Sequence, residues 1–156
     1  PGKVVIENNV FESSGSAILI AGDANYWYES GAVKDVLIKG NDFRYPCMSS
    51  MYQFCEAIIS IEPEIPQPDT KYPFHSNIRI ENNMFNPFDY PILYAKSVDG
   101  ISFTGNVIQR NTTYKPFHKR KAAVTLVKCR RAKIKDNKII GDVLGAPGGK
   151  LSIVKE

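Results

Sequence analysis

Residues 4–11 read Val4-Val5-Ile6-Glu7-Asn8-Asn9-Val10-Phe11, an apolar-x-apolar-x-x-Asn-x-apolar string. Its first half alternates as a strand with one buried face does. Its Asn-x-apolar ending has the chemistry of a tight corner, because Asn tolerates a left-handed backbone and its amide bonds locally. The same string recurs at 36–43, 78–85, 101–108 and 132–139, which puts the shared Asn at 9, 41, 83, 106 and 137. A second short apolar stretch follows each corner, at 17–21, 57–61, 92–95, 123–127 and 151–154. Two strands per repeat with a corner Asn in register predict an all-β fold, a single-stranded right-handed parallel β-helix of about five coils; the hand comes from the preference of parallel crossovers. Stacking then buries Ile6, Ile38, Ile80, Phe103 and Ile134 as one ladder. It lines the five Asn amides up as another and stacks Phe11, Phe43 and Phe85 in a column that continues as Ile108 and Ile139. An antiparallel sandwich with Asn turns is the alternative, and five matches at one offset weigh against it. No stretch reads as a long amphipathic helix.

The chain has 156 residues, 43% hydrophobic and 23% charged, which suits one folded domain and excludes disordered and collagen-like classes. No apolar run approaches the ~18 residues of a membrane helix, so no membrane span is expected. There is no initiator Met and no leader-like segment before the first strand, so residues 1–156 read as a single β-helix segment of a longer protein. Its raw ends are sites where self-association is expected. Net charge is +4, unevenly spread: residues 1–78 hold 5 basic and 10 acidic side chains, residues 79–156 hold 15 and 6. Three cysteines are no disulfide framework, although Cys47 and Cys55 can pair in an oxidising compartment. No spacing points to structural zinc, and neither a metal nor a cofactor is expected. In the basic half Lys133 and Lys135 alternate with Ala132 and Ile134 as outward positions do, and few aromatics are interleaved. Nucleic acid is therefore not the expected partner. Asn111-Thr112-Thr113 is a formal glycosylation sequon of a kind that arises often by chance.

Solenoids carry function on insertions between strands. Two long connections, 22–35 and 62–77, follow the second strand in adjacent repeats and leave the same side if the coils stack in register. The first contains Asp23, Asn25, Tyr26, Trp27, Tyr28 and Glu29, with the chain's single Trp; the second contains Glu62, Glu64, Asp69, Tyr72 and His75, stiffened by four prolines. Aromatic rings beside carboxylates and amides make a sugar site: a ring stacks on the C–H face of the sugar and polar groups bond its hydroxyls. Each residue also has a plainer reading. Asp23 after Gly22 is a good turn residue, Trp27 can cap the interior at a bend, Glu62 and Glu64 can be solvated loop charges, and His75 can be a loop histidine.

The segment Gly22-Asp23-Ala24-Asn25-Tyr26-Trp27-Tyr28-Glu29-Ser30-Gly31-Ala32, preceded by the coil at 3–21, resembles glycoside hydrolase family 110. The close part of the resemblance covers roughly the first 45 residues, and the remainder shares the repeat style. It implies an α-1,3-galactosidase on a right-handed parallel β-helix, of which this is the C-terminal part. It further implies inverting hydrolysis of a terminal α-galactoside on a galactose-containing glycan, without a cofactor, in a secreted, periplasmic or cell-surface protein. Inversion requires a protonated carboxyl and a carboxylate typically ~6.5–9.5 Å apart. On this reading Glu29 and Asp23 are the catalytic candidates. Trp27, Tyr28, Asn25 and Glu62 are the substrate-binding candidates. The adjacent aspartates frequent in inverting β-helix glycosidases are absent, so part of the machinery is expected upstream and this segment alone is expected to be incomplete. A non-catalytic carbohydrate-binding or structural β-helix module is the alternative. A polysaccharide lyase would need clustered acids for Ca²⁺ and an arginine base, yet Arg44 is the only Arg in residues 1–78.

Overall fold

The computed structural model describes residues 2–51 and 56–156. Five coils each contribute three strands. Coil 1 holds β1 (Gly2–Glu7), β2 (Val10–Phe11) and β3 (Ile18–Ile20), and coil 2 holds β4 (Lys34–Lys39), β5 (Asp42–Phe43) and β6 (Ile59–Ile61). Coil 3 holds β7 (His75–Glu81), β8 (Met84–Phe85) and β9 (Leu93–Lys96), and coil 4 holds β10 (Val98–Thr104), β11 (Val107–Gln109) and β12 (Val124–Val127). Coil 5 holds β13 (Lys133–Lys135), β14 (Lys138–Ile140) and β15 (Ile153–Lys155). Like strands pair in parallel into three five-stranded sheets, β1-β4-β7-β10-β13, β2-β5-β8-β11-β14 and β3-β6-β9-β12-β15. The protein is an all-β, right-handed parallel β-helix, with no α-helix among the described residues.

The repeat carries three strands where the sequence pattern predicts two. The residues after each corner Asn, such as Val10-Phe11 and Asp42-Phe43, form their own two- or three-residue strands and pair from coil to coil. Strands this short have no alternation to read, so they look like part of the turn.

The interior ladders form as expected. Ile6, Ile38, Ile80, Phe103 and Ile134 pair in register, with Ile38, Ile80 and Phe103 fully buried. The Phe11 and Phe43 rings stack at 4.9 Å and Phe43 and Phe85 at 4.6 Å, nearly parallel in both cases. Ile108 and Ile139 extend that column.

The Asn column is a continuous hydrogen-bond wire. Each Asn sends its backbone N–H and its Nδ2 to the Oδ1 of the next: Asn9 to Asn41 (3.0 and 3.1 Å), Asn41 to Asn83 (2.9 and 3.1 Å), Asn83 to Asn106 (2.9 and 3.0 Å), and Asn106 to Asn137 (3.0 and 3.0 Å). The second Nδ2 hydrogen goes back one coil, from Asn41 to the Ile6 carbonyl (2.9 Å) and from Asn83 to that of Ile38 (3.0 Å). The amide therefore closes the corner and joins coils at once, meeting the demand that buried polar groups be paired.

The left-handed residue is not this Asn but the one before it. Asn8, Gly40, Asn82, Gly105 and Asp136 have φ of 57, 64, 54, 66 and 57°. All are types that enter this region cheaply. At Gly40 a Cβ would lie 2.8 Å from Asn8 Oδ1, so glycine there also makes room for the neighbouring coil's amide. A second column of positive φ opens the first-sheet strands at Lys3, Asp35, Asn77, Gly100 and Arg131, where Asn77 Nδ2 donates to Asp35 Oδ1.

Cys47 is buried in the core, while Cys55, and with it the Cys47–Cys55 pairing, lies outside the described residues. No helix among the described residues is long and apolar enough to cross a membrane.

Candidate active-site cleft

The two long connections are neighbours. In coils 1 and 2 the third-sheet ladder runs on past β3 and β6. The Glu62 N–H donates to the Ile20 carbonyl (2.9 Å), Glu64 to Gly22 (2.7 Å) and Ala24 to Glu64 (2.9 Å). Coil 3 lacks this extension, because the chain turns into β10 at Ser97, whose φ is positive. The result is a ledge two strands wide that stops beside β9. Beside the step lies a cleft of about 270 Å³ lined by Asn25, Glu62, Pro63, Glu64, Ile65, Tyr94 and Lys96.

The first connection is preorganised by Asp23. Its carboxylate accepts the backbone N–H of Asn25 (2.7 Å), Tyr26 (2.8 Å) and Trp27 (3.0 Å). Those amides, Tyr26 first, hold its pKa below the usual carboxylate value, so Asp23 stays ionised and acts here as the loop's organiser. Backbone bridges from Asp23 to Ser30 and to Glu64 close the loop and bind it to the ledge. Gly22 is buried under Phe74: a Cβ there would lie 2.8 Å from the Phe74 ring. With its base fixed, the loop lifts Tyr26, Trp27 and Tyr28 into solvent at 75, 78 and 73% exposure. Trp27 does not cap the interior. Glu29 is exposed on the same turn.

His75 is not a loop residue. It opens β7 with no solvent exposure, and its Nδ1 accepts the Val33 N–H at 3.1 Å, tying the end of the first connection to the end of the second. Burial lowers its pKa to about 4.

Inside the cleft Glu62 and Lys96 project from successive coils one residue beyond the paired Ile61 and Ala95. Glu62 is half-buried, and burial pushes its pKa up; Ser60 and the Glu56 N–H, which donates to Oε1 at 3.1 Å, act against that rise, as does the Lys96 charge. Tyr94 stands on the outer face of β9, with the Arg120 guanidinium 4.8 Å from its ring centre. Arg120 also grips Glu56 with two N–H groups on one carboxylate oxygen, at 3.0 and 2.9 Å.

The structure thus places Asn25 and Glu62, two of the sequence-derived site residues, in one cleft. Asp23, Trp27, Tyr28 and Glu29 sit on the loop that Asn25 belongs to but do not line the cleft. Tyr94, Lys96, Glu56 and Arg120 were not singled out by sequence. Tyr94 had a legible signal as the outward residue of an apolar stretch; Arg120 lay hidden in a basic run. Among the described residues no group of three or more His, Cys, Asp and Glu is placed to hold a metal ion.

No protein-family model matches the chain. Among curated proteins it is 70% identical over 145 residues to alpha-1,3-galactosidase B of Bacteroides thetaiotaomicron, a match covering 93% of this chain and 24% of the relative. It is 46% identical over 147 residues to alpha-1,3-galactosidase B of Akkermansia muciniphila (90% of this chain, 18% of the relative). It is also 46% identical over 145 residues to alpha-1,3-galactosidase A of Bacteroides fragilis (91% and 23%). The chain spans about a quarter of the length of the first of these relatives. Over nearly all of its own length, then, the chain is similar to part of proteins named alpha-1,3-galactosidase.

Proposed function

We propose that this chain supplies part of the substrate cleft of a glycosidase that hydrolyses terminal α-galactosides of glycans with inversion. The observation that carries the reading is Glu62, a half-buried carboxyl with a raised pKa in a polar cleft at the foot of an exposed aromatic loop. The names of the relatives supply the substrate class.

Glu62 is the proton donor to the leaving glycosidic oxygen, since burial favours its neutral form. The opposite carboxylate takes a proton from the attacking water as the water's oxygen bonds to the anomeric carbon. Glu29 is this chain's candidate for that role or for a sugar-hydroxyl partner. Asn25 and Lys96 donate to sugar hydroxyls, Trp27 and Tyr28 offer ring faces to the C–H side of the glycan, and Asp23 keeps their loop rigid.

The test uses the full-length protein and an aryl α-galactoside. Glu62→Gln is expected to lower kcat about 100-fold or more, the usual scale of general acid catalysis. Trp27→Ala is expected to raise KM with less effect on kcat, and NMR of early product should show the β-anomer. Unchanged turnover in both variants removes the site. Galactoside binding without turnover in the wild type would support a carbohydrate-binding module instead.

A further inference from the structure

Arg120 lies outside the cleft lining, yet its contacts converge on it. It belongs to coil 4, in the connection between β11 and β12, and reaches across coil 3 to Glu56 of coil 2. Three groups hold it: Glu56 through two N–H donors, the Tyr94 ring at 4.8 Å, and Glu156 at 4.0 Å. Its side chain is only 27% exposed, so this is a packed contact rather than a free surface charge. Glu56 is in turn the residue whose backbone N–H bonds Glu62.

We propose that Arg120 is a positioning residue for the cleft: by neutralising and fixing Glu56 behind Tyr94, it sets the field in which Glu62 holds its proton. This rests on the reading of Glu62 as proton donor. The charged and titratable groups around Glu62 are Glu56, Lys96, Tyr94 and Glu64. The Glu56 N–H and Lys96 favour the carboxylate, while the charge of the Glu56 side chain opposes it. Arg120 is the cation that grips Glu56, so its loss leaves that like charge unscreened next to the acid.

The experiment is the pH profile of kcat/KM for the full-length enzyme on an aryl α-galactoside, whose basic limb reports deprotonation of the acid in the free enzyme. Arg120→Met is expected to move that limb to higher pH by about half a unit or more, as an uncompensated like charge nearby does. Glu56→Gln moves it to lower pH, and combining Glu56→Gln with Arg120→Met cancels the upward shift. Arg120→Lys, which keeps the charge without the two-pronged grip, gives a smaller upward shift and carries the test if the Met variant does not fold. A merely structural role predicts lower rates with the limb in place, and that result overturns the proposal. The two failures are separable. If Glu62→Gln leaves the basic limb where it was, the cleft reading fails and takes this proposal with it; if Glu62→Gln abolishes the limb while Arg120→Met leaves it unmoved, only the role of Arg120 fails.

Discussion

A histidine with no access to water must give up its charge, and His75 does so while accepting a hydrogen bond from Val33. Its pKa falls from 6.5 to about 4 because burial disfavours the imidazolium. Above pH 6.5 both folded and unfolded chains carry it neutral. Between 6.5 and about 4 only the unfolded chain takes up the proton, so stability is lost as the pH falls through that window. The contribution between pH 7 and pH 5 is about 2 kcal/mol. His75→Gln, whose side-chain oxygen can still accept the Val33 N–H, removes this pH dependence. The stability gap between wild type and variant should therefore shrink by about that amount on going from pH 7 to pH 5 in chemical denaturation. A gap independent of pH would show that His75 does not titrate this way. Sequence left this residue in a loop because it follows four prolines and Phe74; only its place in β7, one coil above Val33, makes it a core residue.

At the scale of the element, the corner is the unit that makes the coil. Asn83 uses every hydrogen-bonding group of its side chain: Oδ1 accepts twice from Asn41, and Nδ2 donates to Asn106 and to the Ile38 carbonyl. Asn83→Asp keeps the shape and the acceptor but loses both donors and sets a carboxyl oxygen against two other oxygens in a buried site. A cost of about 3 kcal/mol or more is expected, since each unpaired buried polar group costs about 1–3 kcal/mol. Asn137→Asp, in a half-buried corner where one donor bond to Phe103 is lost, should cost less than half as much. Denaturation midpoints of the two variants check the ordering, and equal losses would argue that the amides are not a cooperative wire. The five Asn positions and the inward apolar ladder were legible because they repeat at a fixed offset. The strands of the second sheet, β2 to β14, were not, because strands of two or three residues have no period of their own. The shift of the left-handed residue to Asn8, Gly40, Asn82, Gly105 and Asp136 was present in the sequence as an Asn, Gly or Asp before every ladder Asn.

Across the whole molecule the charge asymmetry resolves into separate features. The acidic half supplies Asp23, Glu56, Glu62 and Glu64 to the ledge and cleft. In the basic half, Arg130 and Arg131 both pair with Asp99 at 2.6 Å, and Lys133 and Lys135 flank the inward Ile134 on the outer face of β13. Cations spread along an outer face, with Arg130, Arg131 and Lys135 already paired, make a weak polyanion surface. The full-length protein is expected to elute from heparin at low salt, and tight, steeply salt-dependent retention would contradict this. The cleft itself belongs to this scale. Asn25 and Glu62 were readable as neighbours once the coils were in register, whereas Tyr94, Lys96 and Arg120 join them only because the third-sheet ladder continues past Ile20 and Ile61 and stops at Ser97.

The sequence by itself determined the solenoid, its five coils and the Asn and Phe columns, since each depends on a local pattern that repeats, and it marked the loop that carries Trp27 as an interruption of that repeat. Tertiary structure alone decided which groups meet in the cleft, and it alone placed Lys3 and Arg131 in left-handed backbone. Neither residue favours that conformation by itself. They adopt it because the neighbouring coil, with Asp35, Asn77 and Gly100 in the same column, fixes where the chain must turn.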